Sequence, residues 1–236
     1  LAQFAVDWPP ETLPPAVDDA IRRYVLDLAG VAAAGAVTLT ARQAREAAVD
    51  LFGPGDVSLW FDGRRVHPKA AVLANAAASS VLDLDDGHRG AVGHPGAGII
   101  PAVWALAGSR SWGDISTAIA VGYEVALRVG AGRPAIPLAA VPTGRWVGVG
   151  VAAAAARLAG LNGEKTAHAL AIAAFQAPDL SAFAYSRATG NSVKEGIGWA
   201  AITGLAAVDL ARFGHTGPLD IFDHLPHYDA ERIVGS

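Results

Sequence analysis

The stretch from Asp83 to Gly98, DLDDGHRGAVGHPGAG, constrains the folding of this chain more than any other segment. Its five glycines and Pro95 exclude a continuous helix, because a helical glycine costs about 1 kcal/mol and a helical proline about 3 kcal/mol. The sequence therefore predicts a helix that ends near Asp83, an irregular polar loop, and a second helix whose start is set by Pro95.

This loop also concentrates charge in a chain that is 52% hydrophobic. Three carboxylates, two histidines and one arginine lie within the twelve positions from Asp83 to His94. Polar groups on a loop between apolar helices are typical of active sites, and histidines beside carboxylates can exchange protons near neutral pH. The alternative is a solvated helix end in which Arg89 forms an incidental salt bridge.

Metal binding is the main alternative to an acid–base role for this loop. Asp83, Asp85, Asp86, His88 and His94 offer the oxygen and nitrogen ligands that divalent ions accept. The chain has no cysteine and no HExxH spacing, which weakens the case for zinc. We expect neither a metal nor a cofactor.

The rest of the chain has the pattern of helices. Apolar residues at helical spacing follow Pro14-Pro15, continue from about Thr40 to Leu51, and run from Pro68 into the polar loop. A single strand-like run, from Val57 to Val66, contains the turn pair Asp62-Gly63 and predicts one small hairpin. An all-α fold with at most one short β-hairpin, packed through alanine- and glycine-rich helix faces, is therefore expected.

Composition narrows the partners and the location. A net charge of -4 without a basic run argues against nucleic acid. The least charged stretch, Gly90 to Ser109, is interrupted by His94, Pro95 and Pro101, so no membrane span is expected. The chain has no cysteine and shows no signal peptide, so a cytoplasmic location is expected.

A few polar and charged residues lie within the predicted helices, which are otherwise largely apolar. Lys194 lies at the start of an apolar helix, where the helix dipole disfavours a cation, so it has either a carboxylate partner or a function. Asn75 and His168 are interpreted as satisfied structural groups. Glu124 and Arg128, four positions apart, are interpreted as a surface pair.

Ordered motifs along the chain resemble the helical domain of the MmgE/PrpD family. They extend from about Pro14 to Asp229 and read DLDDGHRGAVGHPGAGIIPA, GYEVALRVG, VGVAAAAARLAGLNGEKTAHALAIAAFQA, SVKEGIGWAA and ARFGHTGPLDI. Members include 2-methylcitrate dehydratase, cis-aconitate decarboxylase and iminodisuccinate epimerase. The resemblance implies acid–base chemistry without metal or organic cofactor, and a helical domain paired with a smaller α/β lid domain, commonly in a homodimer.

The resemblance also implies the site residues. Asp83 matches the active-site aspartate of the family's DFDD motif, His94 the histidine of its HPS or HPG motif, and Lys194 the lysine of its TKR or VKE motif. We expect His94 to transfer a proton, Lys194 to stabilise an oxyanion and Asp83 to orient one of them. The residues expected to contact the substrate are Asp86, His88, Arg89, Arg145, Trp146 and Tyr185.

The sequence departs from the family pattern at two motifs. Many members have HPT where this chain has Val141-Pro142-Thr143, and KRLHAGRAA where it has KEGIGWAAI. These changes remove basic groups that would bind a polycarboxylate, so a less anionic and bulkier substrate is expected unless Arg89 and Arg145 replace them. Family chains continue into the lid. We expect residues 1–236 to form the helical domain, leading from about residue 219 towards a lid that is absent or on another chain.

Three functions are consistent with these features. The first is a lyase that removes water or carbon dioxide from a small carboxylic acid. The second is an enzyme of secondary metabolism that dehydrates or cyclises a larger, less anionic carbonyl compound. The third is a non-catalytic helical subunit of a two-chain enzyme. The expected partners are a small-molecule substrate, a second copy of the chain, and a separate lid-bearing chain if the lid is encoded elsewhere.

Overall fold

The computed structural model describes residues 1–9, 13–133, 143–180, 191–224 and 227–235. Helices make up most of this part of the chain, as predicted. They are α1 (Ala2–Asp7), α2 (Pro15–Gly35), α3 (Leu39–Phe52), α4 (Pro68–Ser80), α5 (Gly96–Leu106), α6 (Trp112–Ala131), α7 (Gly144–Leu158), α8 (Gly163–Phe175), α9 (Ile197–Arg212) and α10 (Ala230–Val234), with a short 3₁₀ helix at Ile221–Asp223.

Local sequence signals explain where several helices begin. Pro15 and Pro68 open α2 and α4, because proline already has the helical φ and its missing N–H leaves no partner unsatisfied there. Asn162 caps α8 by accepting a hydrogen bond from the Lys165 backbone N–H. Helix α6 begins at Trp112, because Ser111 and Asp114 form a capping box.

The predicted hairpin is confirmed. Strand β1 (Pro54–Ser58) pairs antiparallel with β2 (Arg65–Val66), and the pairing is irregular between Pro54 and Val57. The turn pair Asp62-Gly63 lies between the strands, and Gly63 has the positive φ of 86° that such turns require.

The helices pack closely around α7, which is buried along nearly all of its length and contacts α5, α6, α8 and α9. Small residues allow this approach. A Cβ atom at Gly204 of α9 would overlap the Gly148 carbonyl of α7, and one at Gly35 of α2 would overlap the Ala78 carbonyl of α4. The expected packing through alanine- and glycine-rich faces is confirmed.

Helix α1 was not predicted from the sequence. Six residues are too few for a stable isolated helix, because nucleation is unfavourable. In the fold α1 packs on α7 and α8, and the Arg157 guanidinium donates hydrogen bonds to the Ala5 carbonyl at 3.0 Å and to the Trp8 carbonyl. Contacts with distant residues therefore stabilise this helix.

Four helix ends meet at one place in the bundle. The Lys194 ammonium, just before α9, donates to the carbonyl of Ser80, the last residue of α4. The Glu195 carbonyl accepts from the N–H of Gly144, the first residue of α7, at 3.1 Å. The N-terminus of α5 joins them through the polar loop.

The sequence predicts no membrane span. No single described helix is long and apolar enough to cross a membrane, although α2 and α3, which meet at a bend of 97°, reach that length and composition together.

Candidate active site

The loop between α4 and α5 has a defined shape. The His88 N–H donates to the Gly93 carbonyl at 2.8 Å, and the His88 Nδ1 accepts from the Ala91 N–H at 3.0 Å. Arg133, at the end of α6, donates to the Ala91 carbonyl at 2.8 Å from a buried position, and burial lowers its pKa to about 10. Sequence reasoning did not single out Arg133, which has no local motif.

Asp86 anchors the loop to two helices. Its Oδ1 accepts from the N–H of Gly96 at 3.0 Å, where α5 begins, and its Oδ2 accepts from the Tyr123 hydroxyl of α6 at 3.0 Å. Burial raises the pKa of the Asp86 carboxyl, although both hydrogen bonds oppose that shift. A side chain at position 96 would overlap the carboxylate and the hydroxyl, so glycine is required there. The geometry gives Asp86 a structural task.

The two ring nitrogens of His94 have different partners. Nδ1 lies 3.0 Å from the Asp86 carbonyl oxygen, so we assign its proton to this bond. Nε2 faces Asp83 Oδ1 at 3.3 Å and Glu195 Oε1 at 3.9 Å. The ring can therefore accept and return a proton at Nε2 while Nδ1 stays bonded to the loop.

Lys194 has the carboxylate partner that its sequence position required. Its Nζ lies 3.0 Å from Asp83 Oδ1 and donates to the Ser80 carbonyl at the negative end of α4. The ammonium lowers the pKa of the Asp83 carboxyl, so this aspartate stays ionised. Both Asp83 and Lys194 have positive φ, 58° and 51°, a conformation uncommon for residues with a side chain.

Asp83, His94 and Lys194 are thus brought together. A single oxygen, Asp83 Oδ1, contacts both His94 Nε2 and Lys194 Nζ. The Asp83 side chain is 60% exposed, Lys194 22% and His94 19%, so a small molecule can reach all three from solvent. The predicted convergence of these residues is present in the structure, while their catalytic roles stay predictions.

Two further carboxylates belong to this cluster. Asp85 is completely buried, with Oδ1 at 3.7 Å from His94 Nδ1 and 3.8 Å from Lys194 Nζ. Burial raises its pKa although the nearby His94 and Lys194 oppose that shift, and neither oxygen has a hydrogen-bond partner among the described residues. Sequence reasoning counted Asp85 only as a rival metal ligand, because a DD pair does not reveal which member points inward.

Glu195 is the second of the two further carboxylates in the cluster. Its Oε2 accepts hydrogen bonds from the Thr143 backbone N–H at 3.0 Å and from the Thr143 hydroxyl. The same hydroxyl oxygen accepts a hydrogen bond from the backbone N–H of His94 at 3.1 Å. This network links the polar loop to the starts of α7 and α9. Glu195 lies in the segment KEGIGWAAI, and the difference of this segment from the basic family motif was the sequence signal that could have identified it. The sequence did not show that the Glu195 side chain turns towards His94.

The cluster also has the donors for a metal ion. Asp83, Asp85 and His94 each place one potential ligand atom within 4.8 Å of the others, and this oxygen and nitrogen set suits several divalent ions. The Lys194 ammonium lies 3.0 and 3.8 Å from the two carboxylates and already supplies positive charge there. A metal ion would have to bind against that charge, and metal-free chemistry stays a prediction.

The residues predicted to contact the substrate are placed differently from one another. His88 and Arg89 are exposed on the loop. Arg145 pairs with Asp179, outside the cluster. Trp146 is fully buried, so the proposed substrate contact has no support in its placement. Tyr185 lies outside the described residues, as do Val141 and Pro142.

The groups interpreted as structural are satisfied. Asn75 is buried and its Oδ1 accepts from the Trp60 N–H at 3.1 Å. His168 Nδ1 lies 3.3 Å from the N–H of Gly217. Glu124 and Arg128 form an ion pair of 2.5 Å on the surface of α6.

Comparison with known proteins agrees with the motifs. A family model described as the MmgE/PrpD N-terminal domain matches residues 1–225. The chain is similar to the cis-aconitate decarboxylase-like protein oryM of Aspergillus oryzae (strain ATCC 42149 / RIB 40), with 30% identity over 235 residues that cover 94% of this chain and 48% of that protein. The chain thus spans about half the length of this curated relative. By its fold, its motifs and this match, the chain belongs to the MmgE/PrpD family.

Proposed function

We propose that this protein is a lyase that removes water or carbon dioxide from a carboxylic acid by acid–base chemistry, without a metal or an organic cofactor. The main support for this proposal is that His94 Nε2 and Lys194 Nζ both contact one oxygen of Asp83, at 3.3 and 3.0 Å. A proton acceptor and a fixed cation side by side are what proton transfer next to a carboxylate needs. The family and the decarboxylase-like relative support this reaction class.

In a dehydration, His94 Nε2 would take the proton from the carbon beside the substrate carboxylate. Lys194 would stabilise the negative charge that develops on the carboxylate oxygens, and the hydroxyl would leave as water after taking the proton back from the His94 imidazolium. In a decarboxylation, the C–C bond to the leaving carboxylate would break. The carbanion would then take its proton from a His94 imidazolium that had been protonated from solvent before the substrate bound. Asp83 would orient both groups through its shared oxygen.

A second candidate, an enzyme that dehydrates or cyclises a larger and less anionic carbonyl compound, is favoured by the charges around His94. Among the described residues, the carboxylates of Asp83, Asp85 and Glu195 lie around His94, and Lys194 is the cation that pairs with the two aspartates. Even with Asp85 protonated, a substrate with several carboxylates would meet repulsion at this distance. Turnover of a small hydroxy acid compared with that of a larger, uncharged hydroxy ketone separates the two candidates, since the second predicts preference for the ketone.

The variant His94→Gln tests the lyase proposal. Glutamine can keep a donor for the Asp86 carbonyl but cannot transfer a proton at the position of Nε2. Turnover should fall by about 10²- to 10⁴-fold, the usual contribution of a general acid–base group. Dehydration is followed by the absorbance of the conjugated double bond, and decarboxylation by released carbon dioxide.

The matched control is His168→Gln, which changes a histidine of α8 that accepts a hydrogen bond from the Gly217 backbone N–H. This variant should keep the parental turnover. Parental turnover in His94→Gln would remove that residue from the mechanism.

A further inference from the structure

A cavity of about 960 Å³ opens between α3, α4 and the segment Asn191–Trp199. It reaches the catalytic cluster, since Ser80, Lys194 and Glu195 are among its lining residues. Pockets for drug-sized ligands have volumes of about 300–1,000 Å³, so this one lies near the upper end of that range. A small acid bound at Lys194 would fill only part of it.

The walls of this cavity are mainly apolar. Helix α3 contributes Ala47 and Leu51, α4 contributes Leu73 and Ala77, and α9 contributes Ile197 and Trp199. Leu51 and Trp199 are 58% and 52% exposed, so large apolar residues face water here. Exposed apolar surface next to a polar site is typical of ligand binding.

The charges identify which end of a ligand lies near the cluster. Lys194 and Glu195 are the charged side chains among the described lining residues. Glu195 is engaged by the N–H and hydroxyl of Thr143, whereas Lys194, which pairs with the exposed Asp83, is the cation of the described lining and the group that attracts an anion. A carboxylate at Lys194 would also lie beside His94, because both residues contact Asp83.

We propose that this cavity binds an alkyl chain of the substrate, so that the enzyme acts on an acid with its carboxylate at Lys194 and several methylene groups along α3, α4 and α9. This substrate class rests on the proposed lyase function. It also agrees with the carboxylates around His94, which disfavour a polyanionic ligand.

Binding of saturated straight-chain carboxylates, from butanoate to decanoate, tests the proposal by isothermal titration calorimetry. Each added methylene that enters the cavity should tighten binding about fourfold, which corresponds to about 0.8 kcal/mol per buried methylene. The gain should stop once the cavity is filled. Affinity that does not change with chain length would overturn the proposal.

Two matched variants place the effect in the cavity. Ala47→Phe adds a large side chain at an exposed lining position, while Ala34→Phe makes the same change at an exposed position of α2 outside the lining. Ala47→Phe should remove the dependence on chain length and keep the affinity for butanoate. Ala34→Phe should behave like the parent. A dependence that survives Ala47→Phe would show that the chain binds elsewhere.

A second copy of this chain is the competing occupant. If Ala47→Phe changed the sedimentation coefficient while the parent showed no gain with chain length, the cavity would be a contact between copies and the proposal would be wrong.

The outcome is separable from that of the lyase proposal, because calorimetry needs no turnover. Turnover of short hydroxy acids with flat affinities would refute the alkyl-chain cavity alone. Rising affinities that Ala47→Phe abolishes, without turnover of any acid, would support the cavity and refute the lyase.

Discussion

Replacing Lys194 by methionine separates a catalytic role from a structural one. The lost ion pair to Asp83 joins a side chain that is 60% exposed, and such pairs contribute about 0.2–1 kcal/mol. The hydrogen bond to the Ser80 carbonyl adds about 0.5–1.5 kcal/mol. For a chain of this size these losses correspond to a fall in Tm of about 2–10 °C.

The expected loss of activity is larger. Removing a preorganised group that stabilises an oxyanion lowers kcat by about 10²- to 10³-fold, or about 2.7–4 kcal/mol. Turnover of a hydroxy acid at 25 °C and Tm from differential scanning calorimetry measure the two effects on the same preparation. At that temperature Lys194→Met should still be folded, so a loss of rate would reflect chemistry.

Lys69→Met is the matched control. Lys69 pairs with Asp209 at 2.9 Å, with side chains 25% and 52% exposed, whereas Lys194 and Asp83 are 3.0 Å apart and 22% and 60% exposed. The control should lose up to about 1 kcal/mol of stability and keep its turnover. Equal turnover of the two variants would refute the assignment of Lys194 to the reaction.

Three further predictions concern Asp85, metal dependence and self-association. Because burial raises the pKa of Asp85, ionising it destabilises the fold as pH rises above its ordinary pKa of 3.8. Asp85→Asn should therefore have a higher Tm than the parent at pH 7, and an advantage of equal size below pH 3.8 would contradict this. Turnover should survive dialysis against a chelator; loss of activity that a divalent ion restores would instead assign Asp83, Asp85 and His94 to a metal site. We also propose a homodimer, since Leu26 and Leu39 are 75% and 70% exposed, and a monomer in sedimentation at micromolar concentration would contradict it.

Several features of this fold could be predicted because they depend on a few neighbouring residues. Pro15 and Pro68 start helices through their own φ, and Asp62-Gly63 places the hairpin turn. The glycines and Pro95 interrupt the helix pattern and place the polar loop between α4 and α5. Such signals act within a turn of backbone, so the packing of the bundle does not override them.

The candidate site was predictable only in part. The pairing of Asp83, His94 and Lys194 was expected from motifs resembling a family, since no spacing along the chain connects position 83 with position 194. The distances of 3.3 and 3.0 Å arise because α4 packs against α5 and α9. Sequence reasoning placed Trp146 at the substrate, but α7 buries it completely.

The sequence by itself therefore determined the helical class, the starts of helices such as α2 and α4, the hairpin and the position of the polar loop. Only the tertiary structure decided that Asp85 is buried, that Glu195 turns towards His94, and that α1 is stable. Burial and hydrogen-bond partners depend on residues far along the chain, as the link from Glu195 to Thr143 and from Arg157 to Ala5 illustrates. Local propensity carries no information about those contacts, because they form only when whole helices pack together.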